Sequence, residues 1–351
     1  MKKYKIAVVG ATGNVGREML NLLLARNFPC DEIFAVASSR SVGQKLEITV
    51  DNLEEKKEYL VHDLEKFDFK GIDIVFSSPG ASVAKTFVPR ATASGSVVID
   101  NTSYFRMADN VPLVVPEVNG EVLKNFYQNN KTRIIANPNC STIQLVMVLK
   151  PIHDLFGIKR VVVATYQSVS GTGKEAMDEL FYQTRAVFNQ ENFEPNIFPK
   201  QIAFNCIPHV DSFLTDGSTK EEWKMSVETK KIIGDDTIHL IATCVRVPVF
   251  VSHAEAVFVE CHQAIDLSKI RSVLASSSGV VVYDRHEPSG YATPIDTAGE
   301  DASFVSRLRI DPTVKNGLAF WCVSDNLRKG AALNAIQIGE TLIQDNFGGL
   351  S

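Results

Sequence analysis

The stretch YKIAVVGATGNVGREMLNLLLARN, residues 4–27, decides the fold of the first part of this chain. It starts with a short apolar run, YKIAVV, which ends at Gly10 and is typical of a buried β-strand. Beyond the glycines, apolar residues recur at helical spacing, among them Val15, Met19 and Leu22. A strand, a glycine-rich turn and a helix in this order predict the first unit of an α/β fold.

The turn between this strand and helix reads GATGNVG and carries Gly10, Gly13 and Gly16. Glycines let the backbone approach a pyrophosphate, and a helix N-terminus adds N–H groups and the positive end of its dipole. The spacing is GxxGxxG rather than the GxGxxG of the usual dinucleotide fingerprint, so an ordinary glycine-rich turn is the alternative. The flanking strand and helix favour a dinucleotide site lined by these three glycines.

The end of the second predicted strand indicates which dinucleotide binds. IFAVAS, residues 33–38, leads from Ser38 through Arg40 to Ser41 without a carboxylate. A site for NAD usually places Asp or Glu there, to bind the ribose 2′-hydroxyl. Hydroxyls and a guanidinium suit the 2′-phosphate of NADP instead, and a solvated loop arginine is the alternative. Ser78, in the later turn SSPGAS, is a further candidate contact to phosphate or ribose, with a plain turn as the alternative.

Two domains are expected. In the first, short apolar runs at 72–78, 96–100 and 133–136 continue the alternation of strands with helices, which predicts a parallel sheet covered on both faces. We expect an N-terminal Rossmann-type, NADP-binding domain at 1–137, with a C-terminal helix, 327–351, packing back on it. The polar segment QNNKTR (128–133) lies nearest the domain boundary.

After residue 137 the pattern changes to longer strand candidates separated by helical stretches. It predicts an α+β catalytic and dimerisation domain at 138–326, built on a large mixed, mostly antiparallel sheet with a face that a partner subunit could cover. The predicted strands are 160–170, 239–249, 254–262, 279–283 and 317–324, and the helices are 173–188, 219–233 and 327–344.

Composition and charge exclude several classes of protein. The chain has 351 residues, 45% of them hydrophobic and 22% charged, and a net charge of −5 that argues against broad nucleic-acid binding. No apolar run reaches the ~20 residues of a membrane span, and the N-terminal run is too short for a signal peptide, so a cytoplasmic protein is expected. Six cysteines, with no CxxC and no Cys/His pair at metal-ligand spacing, support neither a disulfide framework nor a metal site.

Cys140, in the segment IANPNCSTIQL, is the candidate nucleophile. It precedes a helix-like stretch at 143–150, and a helix N-terminus favours the reactive thiolate. A small buried core cysteine is the alternative, since free cysteines are often buried. A thiolate near a dinucleotide indicates aldehyde dehydrogenase chemistry, in which a thioester links two half-reactions. Asn139 can offer an amide donor beside it.

A proton-transfer partner and a carboxylate anchor are found around a proline break in RVPVFVSHAE. His253 can shuttle a proton, and Arg246 can bind a substrate carboxylate with two parallel hydrogen bonds. Pro248 interrupts the strand pattern, so the pattern does not say whether the two share a face. Glu221 and Lys224, three residues apart, would share one face of a helix, where a solvated surface is the simpler interpretation.

Taken together, several motifs resemble the aspartate-β-semialdehyde dehydrogenase family. They are GATGNVG, SSRS, DNTSYFRM, PNCST, YQSVSGTG, EEWKMSVETKKI, RVPVFVSH and SDNLRKGAA, and they run from Gly10 to about Ile338. The resemblance implies NADPH-dependent reductive dephosphorylation of L-aspartyl-4-phosphate to L-aspartate-4-semialdehyde, a step towards lysine with diaminopimelate, threonine and methionine. It also implies a homodimer or a tetramer.

The resemblance implies a role for each matching residue. Cys140 would form the acyl thioester and His253 would be the general acid/base. The substrate-binding residues would be Arg106 and Lys224 for the phosphate, Gln167 and Arg246 for the amino-acid end, Glu221 for its ammonium, and Asn139. The cofactor-binding residues would be Thr12, Gly13, Asn14, Val15, Arg40, Ser41, Ser170, Gly171 and Asn326, beside Gly10, Gly16, Ser38 and Ser78, which the residue pattern indicates. No metal is expected.

Departures from the family pattern are small: Pro79 and Ala81 in SSPGAS, and Tyr104 in NTSYFR. Two related enzymes share the chemistry. N-acetyl-γ-glutamyl-phosphate reductase usually has Pro-Gly-Cys-Tyr-Pro around its cysteine. Glyceraldehyde-3-phosphate dehydrogenase usually has an acidic second strand. A non-catalytic NADP-binding regulator on the same fold is the alternative of another class, because a fold does not by itself give a function.

Overall fold

The computed structural model describes residues 2–50 and 56–346. It divides into two compact units, Met1–Pro138 with Ala331–Ser351, and Asn139–Gly330. The polar segment 128–133 does not separate them, because it leads into a strand of the first unit. The last residues of the predicted C-terminal helix, 347–351, lie outside the described residues.

The first unit contains a seven-stranded sheet in the order β3-β4-β2-β1-β5-β6-β7. Its strands are β1 (Tyr4–Val9), β2 (Cys30–Ala37), β3 (Lys45–Thr49), β4 (Lys56–Asp63), β5 (Ile74–Ser77), β6 (Val97–Asp100) and β7 (Ile134–Ala136). The five predicted strands are confirmed as β1, β2, β5, β6 and β7. Neighbouring strands are parallel except β3, which pairs antiparallel with β4.

The expectation of a wholly parallel sheet was therefore wrong at one edge. In β3, buried Leu46 and Ile48 alternate with exposed residues. Such alternation is typical of an antiparallel strand with one solvated face. Neither β3 nor β4 was predicted, because neither is a continuous apolar run.

Helices cover this sheet: α1 (Asn14–Ala25), α2 (Ala81–Ala93), α3 (Pro116–Asn119), α4 (Phe126–Asn129) and α10 (Leu333–Asn346). The buried stripe of α1 includes Met19, Leu20 and Leu23, which pack in one core with strand residues. Ile336 and Leu342 of α10 belong to the same core. Burial of an apolar stripe against a sheet is the main source of stability for such helices. A π-helical turn, Arg328–Ala332, precedes α10.

The second unit contains a six-stranded sheet in the order β11-β12-β13-β10-β8-β9. Its strands are β8 (Ile158–Gln167), β9 (His239–Arg246), β10 (His253–Cys261), β11 (Val280–Val282), β12 (Ser303–Asp311) and β13 (Gly317–Ser324). The β12/β13, β13/β10 and β10/β8 pairs are antiparallel, while β11/β12 and β8/β9 are parallel. A mixed, mostly antiparallel sheet is thus confirmed, with β12 as a strand that the sequence analysis missed.

The helices of the second unit are α5 (Cys140–Phe156), α6 (Lys174–Asn189), α7 (Lys220–Ile233), α8 (Leu267–Ser276) and α9 (Pro294–Thr297). Nine of the first ten residues of α5 are buried, and the helix packs against β8, β10, β12 and β13. A helix that is apolar nearly all round belongs inside a protein. Among the described residues, no helix is both long and apolar enough to cross a membrane.

Candidate active site

Three neighbouring strands bring candidate residues to one end of the second sheet. Gln167 ends β8 and pairs with Arg246, which ends the parallel strand β9. On the other side of β8, the antiparallel strand β10 begins at His253, whose neighbour Ala254 pairs with Tyr166. Because a proline interrupts the strand pattern, alternation along the sequence could not predict this arrangement. Strand order and direction place the three residues at a common edge of the sheet.

Cys140 is the first residue of α5, so the helix begins three residues earlier than the sequence pattern indicated. Asn139 caps the helix, since its Oδ1 accepts hydrogen bonds from the backbone N–H groups of Ser141 (3.0 Å) and Thr142 (3.2 Å). The thiol is half-buried. It therefore sits where the positive end of the helix dipole favours a thiolate.

The amide donor of Asn139 is engaged within the protein rather than turned outward. Its Nδ2 donates to Glu221 Oε1 at 2.8 Å, and its backbone N–H donates to Glu228 Oε2 at 2.7 Å. Glu228 was missed by the sequence analysis, although it lies seven residues after Glu221 and so on the same face of α7. Two carboxylates of one helix thus hold the residue that precedes Cys140.

Gly330 is a second residue that sequence reasoning missed. A Cβ placed on it would lie 3.0 Å from Cys140 Cβ and 3.4 Å from Cys140 Cα. Any larger residue would therefore press on the cysteine. The motif SDNLRKGAA contains no pattern that marks this glycine as a neighbour of Cys140.

Glu221 is a buried carboxylate with several partners. Besides Asn139, Gln167 Nε2 donates to its Oε1 at 3.2 Å and Lys224 Nζ to its Oε2 at 3.1 Å. Burial opposes ionisation, but Lys224 and the hydrogen bonds outweigh it and lower the pKa of Glu221. Lys224 also donates to Asp211 at 2.6 Å. The solvated helix face is thus excluded for this pair, whose side chains are only 7% and 11% exposed.

Arg246 is buried and anchored. Its Nη1 donates to the backbone oxygen of Ser168 at 2.6 Å. Burial lowers the pKa of Arg246, while Glu221 and the Cys140 thiolate oppose that shift. Both anions therefore lie within electrostatic range of the guanidinium. A positive group held between them is well placed to bind an anionic part of a ligand.

His253 is fully buried and neutral at physiological pH. Its Nδ1 faces the backbone N–H of Ser168 at 3.0 Å and Ser168 Oγ at 3.1 Å. Burial and the neighbouring Arg246 lower the pKa of His253 to about 3. Nε2 has no hydrogen-bond partner among the described residues, and a Cβ on Gly171 would lie 3.3 Å from it. Nε2 therefore lies directly beside a residue that lacks a side chain.

Three predicted cofactor contacts lie around His253 in the second unit. Ser170 and Asn326 are buried and hydrogen-bonded to each other, with Asn326 Nδ2 donating to Ser170 Oγ at 2.9 Å. Gly171 faces Arg246 as well as the histidine, since a Cβ on it would lie 3.2 Å from Nη1. These residues thus shape the surroundings of the histidine, whatever else they bind.

Glu255 is a buried acid that the sequence analysis passed over. It lies two residues after His253 on the buried face of β10, and both carboxyl oxygens lack a hydrogen-bond partner among the described residues. Burial raises the pKa of Glu255 well above its ordinary value, while the Gln144 amide opposes the shift. Gln144 in turn lies one helical turn after Cys140. Burial therefore favours the neutral, protonated form of the Glu255 carboxyl.

Replacing Glu255 by glutamine is expected to stabilise the protein increasingly as pH rises above the ordinary pKa of 4.5. Above that pH the unfolded chain releases the proton while the folded protein keeps it, so the parent loses stability relative to the variant. The difference grows by up to about 1.4 kcal/mol per pH unit until the folded-state pKa is reached. Denaturant unfolding near pH 4.5 and near pH 8 measures it, with Glu260→Gln on the same strand as control. If the free energies of unfolding of the parent and the variant differed equally at both pH values, the pKa of Glu255 would not be raised in the folded protein.

The glycine-rich turn of the first unit fits a dinucleotide phosphate. Gly10 has φ of 84°, and a Cβ on it would lie 2.7 Å from the backbone of Ser78. A Cβ on Gly16 would lie 2.2 Å from the Gly10 oxygen. Gly13 is the N-cap of α1 and, having no side chain, provides no side-chain hydrogen bond to the helix N-terminus. The close backbone packing requires glycine, and the helix end suits an anion.

The other predicted cofactor contacts of the first unit lie at two strand ends. Thr12, Asn14 and Val15 are half-buried at the start of α1. Ser38 precedes a 3₁₀ turn, Ser39–Ser41, at the end of β2, and Arg40 is exposed there. Within residues 2–50 and 56–346, no carboxylate forms an ion pair with Arg40.

Arg106 is a buried arginine of the first unit. Its Nε donates to the backbone oxygen of Asn137 at 2.9 Å, and its Nη2 donates to that of Asn101 at 2.8 Å. These bonds hold the guanidinium from the segments that follow β6 and β7. A cation fixed in this way needs little reorganisation when it binds an anion.

The other cysteines differ from Cys140 in their surroundings. Burial raises the pKa of Cys261 to about 11 and raises those of Cys244 and Cys322 further, so these remain thiols. Cys206 is exposed and Cys30 is half-buried. No group of three or more metal-ligating side chains occurs in the described part of the chain.

Known proteins share both units. Residues 5–126 match the family model for the semialdehyde dehydrogenase NAD binding domain, and residues 149–329 match that for the dimerisation domain. The aspartate-semialdehyde dehydrogenase of Aquifex aeolicus is 50% identical over 346 residues, covering 98% of this chain and 99% of that protein. That of Rickettsia bellii is 48% identical over 343 residues, covering 98% of each.

A solved structure agrees with these relatives. Aspartate semialdehyde dehydrogenase II from Vibrio cholerae, complexed with ASA, superposes with a TM-score of 0.93 at 45% identity, covering 99% of this chain and 100% of that one. The sequence relatives and the solved structure each cover 98% or more of this chain at 45–50% identity, which is high enough to show a shared family and not only a shared fold. The chain therefore belongs to the aspartate-semialdehyde dehydrogenase family.

Proposed function

We propose that this enzyme catalyses the NADPH-dependent reductive dephosphorylation of L-aspartyl-4-phosphate to L-aspartate-4-semialdehyde through a thioester on Cys140. The observation that carries the proposal is the position of that cysteine. It is half-buried at the first residue of α5, whereas Cys244, Cys261 and Cys322 are buried thiols with raised pKa values. A thiolate at a helix N-terminus is the nucleophile that acyl transfer requires.

The chemical steps follow from this nucleophile. Cys140 Sγ bonds to the carbonyl carbon of the acyl phosphate, and phosphate leaves with the electrons of the broken C–O bond. NADPH, when bound, would supply the hydride that reduces the thioester carbonyl, which gives a thiohemiacetal on Cys140. Breaking the C–S bond of the thiohemiacetal then releases the aldehyde and returns the thiolate. His253, whose Nε2 lies beside Gly171, is the proposed acid/base partner of the reacting oxygen and sulfur.

The amino-acid end of the substrate is assigned to buried polar groups. Arg246 can bind the α-carboxylate with two parallel hydrogen bonds, and Gln167 can bind beside it. The lowered pKa of Glu221 keeps this carboxylate negative and able to receive the ammonium group. Asn139 supports this arrangement indirectly, because it binds Glu221 while it caps the helix of Cys140.

Two cations are assigned to the phosphate group. Arg106 is buried and held by two backbone oxygens, which makes it a fixed positive group. Lys224 is paired with Glu221 and Asp211, and these carboxylates raise its pKa against the effect of burial. The lysine therefore stays charged, and we propose that phosphate exchanges with part of its carboxylate shell.

The domain predicted at 1–137 with the C-terminal helix, which corresponds to the first unit, is the proposed NADP-binding domain. Its glycine turn suits the pyrophosphate, and Ser38, Arg40 and Ser41 are the proposed contacts to the 2′-phosphate. Ser78 packs against Gly10 and so lies at the same turn. Ser170, Gly171 and Asn326 are the proposed cofactor contacts from the second unit, 138–326.

Replacing Arg40 by alanine is expected to lower the preference for NADP over NAD. NADP has a 2′-phosphate for the guanidinium to bind, and NAD has none. The loss for NADP should be on the order of 10- to 100-fold in kcat/KM, with little change for NAD. The ratio of kcat/KM for the two cofactors measures the effect, with exposed Arg285→Ala as control. An equal loss for both cofactors would make Arg40 a general contact instead.

The open face of the second sheet supports a homodimer. Tyr166, Ile241 and Phe258 are 38%, 61% and 40% exposed on strands whose other face is buried. The same face has a depression of about 280 Å³ lined by Phe258, Trp321 and other residues of β10, β12 and β13. Apolar sheet faces of this kind are covered in assemblies. Sedimentation equilibrium should give a dimer, or a tetramer built from it.

The experiment that tests the proposed activity is phosphate-dependent reduction of NADP by L-aspartate-4-semialdehyde. N-acetylglutamate semialdehyde serves as the competing substrate and should react poorly. Rapid turnover that requires phosphate supports the proposal. Binding of NADP without turnover of either aldehyde would favour a non-catalytic regulator. We place the active enzyme in the cytoplasm, in the branch of biosynthesis that leads to lysine with diaminopimelate, threonine and methionine.

A further inference from the structure

A line of hydrogen bonds connects Asn326 to His253. The backbone N–H of Ser252 donates to Asn326 Oδ1 at 2.9 Å, and a backbone N–H has no other way to bond. This contact fixes which end of the amide is oxygen. The nitrogen, Nδ2, therefore faces Ser170 Oγ at 2.9 Å and donates to it.

The two serine hydroxyls can pass this direction on. Ser170 Oγ accepts from Asn326, and its own proton faces both Ser168 Oγ at 3.0 Å and Asn326 Oδ1 at 3.1 Å. Ser168 Oγ likewise lies 3.1 Å from both Asn326 Oδ1 and His253 Nδ1, and it donates to Nδ1 when that nitrogen carries the lone pair. Hydrogen bonds in such a chain strengthen one another. The chain thus ends with a donor aimed at Nδ1.

A second donor reaches the same ring nitrogen. The backbone N–H of Ser168 points at His253 Nδ1 at 3.0 Å. Because a backbone N–H can only donate, this nitrogen must carry the lone pair, and Ser168 Oγ then donates to it. In a neutral imidazole the proton then belongs to Nε2.

The surroundings of Nε2 fit a donor that awaits an acceptor. The atom is fully buried and has no partner among the described residues. A buried N–H without a partner is costly, so such groups in native proteins usually meet a ligand or water. Gly171 lies directly beside Nε2, and a Cβ there would be 3.3 Å away, so a side chain at this position would crowd the ring nitrogen.

We propose that Asn326, Ser170 and Ser168 are positioning residues that hold His253 in the neutral tautomer with its proton on Nε2. His253 then meets the substrate as a hydrogen-bond donor to the carbonyl oxygen, and Cys140 reacts as a preformed thiolate. No proton leaves the ring in this step: the S–C bond forms, negative charge on the oxygen is stabilised by Nε2–H, and phosphate departs. This inference rests on the proposed function and specifies how its histidine begins the cycle.

Asn326 also bonds to the backbone directly before the histidine. Ser252, directly before His253, has φ of 76°, a conformation that residues other than glycine adopt rarely. Its N–H bond to Asn326 Oδ1 holds the chain in this conformation where β10 begins. The same amide therefore directs both the backbone entering His253 and the proton on its ring.

The test is ¹⁵N spectroscopy of the histidine ring nitrogens in the full-length protein without substrate. His253→Asn identifies the His253 signals among those of the seven histidines. We expect a protonated Nε2 and an unprotonated Nδ1 between about pH 5 and 8. A proton on Nδ1, or an imidazolium in this range, overturns the proposal. The charged groups acting on the ring are Arg246 of β9 and Glu221 of α7.

Two variants test the chain itself. Asn326→Asp keeps an oxygen for the Ser252 N–H but replaces the Nδ2 donor by an acceptor, so the hydroxyl chain reverses. We expect the ring to titrate at higher pH, with a mixture of tautomers and kcat on the order of 10- to 100-fold lower. Ser170→Ala interrupts the chain without adding charge and should shift the spectrum in the same direction by less.

The control is Asn205→Asp, because Asn205 is exposed and its Nδ2 bonds only locally, to the Gln201 oxygen at 2.9 Å. It should leave the His253 signals unchanged. Unchanged His253 signals in both Asn326→Asp and Ser170→Ala would overturn the role of the chain. Since the spectra need no turnover, failure of the semialdehyde assay would reject the proposed function while leaving the tautomer result intact.

Discussion

Replacing Cys140 by serine is expected to lower kcat by about 10,000-fold or more while leaving the fold intact. A serine hydroxyl at the first residue of α5 is not ionised at neutral pH, whereas a thiol there is stabilised as thiolate by the helix end. The helix cap should survive, because Asn139 caps through its own side chain and does not depend on the thiol. Steady-state turnover of the semialdehyde, with circular dichroism of the same sample, measures both effects.

Cys206 provides the matched control for this substitution. It is exposed, and its backbone N–H bonds only to the neighbouring Asn205 side chain. Cys206→Ser should therefore keep full activity. In the parent protein, a thiol-alkylating reagent should inactivate in proportion to modification of Cys140, and modification of Cys206 should have no effect. Full activity with Cys140 completely alkylated would show that it is not the nucleophile.

Replacing Arg246 by lysine is expected to lower kcat/KM by about 10- to 100-fold at least, since one charged hydrogen bond contributes about 1.5–3 kcal/mol. Lysine keeps the positive charge but loses the planar group that can bind a carboxylate through two bonds. It also loses the Nη1 bond to the Ser168 oxygen, 2.6 Å long, which holds the guanidinium in place. Kinetics with semialdehyde at saturating NADP measure the loss.

Arg271→Lys is the control for stability. Arg271 is also partly buried and paired with a fully buried carboxylate, that of Asp284, but it belongs to α8, which supplies none of the candidate site residues. Its substitution should lower the melting temperature without changing kcat/KM. A fall in melting temperature for Arg246→Lys that accounts for all of its activity loss would make Arg246 a structural residue. An unchanged kcat/KM would exclude a role in binding the substrate.

Local pattern was sufficient for much of the fold. Apolar runs such as YKIAVV and the helical spacing after Gly13 predicted β1 and α1, because burial and backbone geometry act within a few residues of each other. The same reasoning found five strands of each sheet. It missed β3, β4 and β12, where polar residues alternate with apolar ones on partly solvated strands.

Local pattern also placed Cys140 at a helix start and marked the residues at the strand ends. It could not say that Gln167, Arg246 and His253 share one edge, because strand order depends on pairings between distant segments. Nor could it show that Glu221 and Lys224 are buried. Their spacing on a helix is the same whether that face meets solvent or the residue before Cys140.

By itself, the sequence determined which residue types are available, where most of the helices and strands lie, and that a thiol lies beside a helix start in a chain with a glycine-rich strand–helix turn. Only the tertiary structure decided their chemical state. The lowered pKa of His253, the raised pKa of Glu255 and the hydrogen bond from the Ser168 N–H to His253 Nδ1 depend on burial and on contacts between residues far apart in the chain. Desolvation and hydrogen-bond direction arise from three-dimensional packing, which no spacing along the chain encodes.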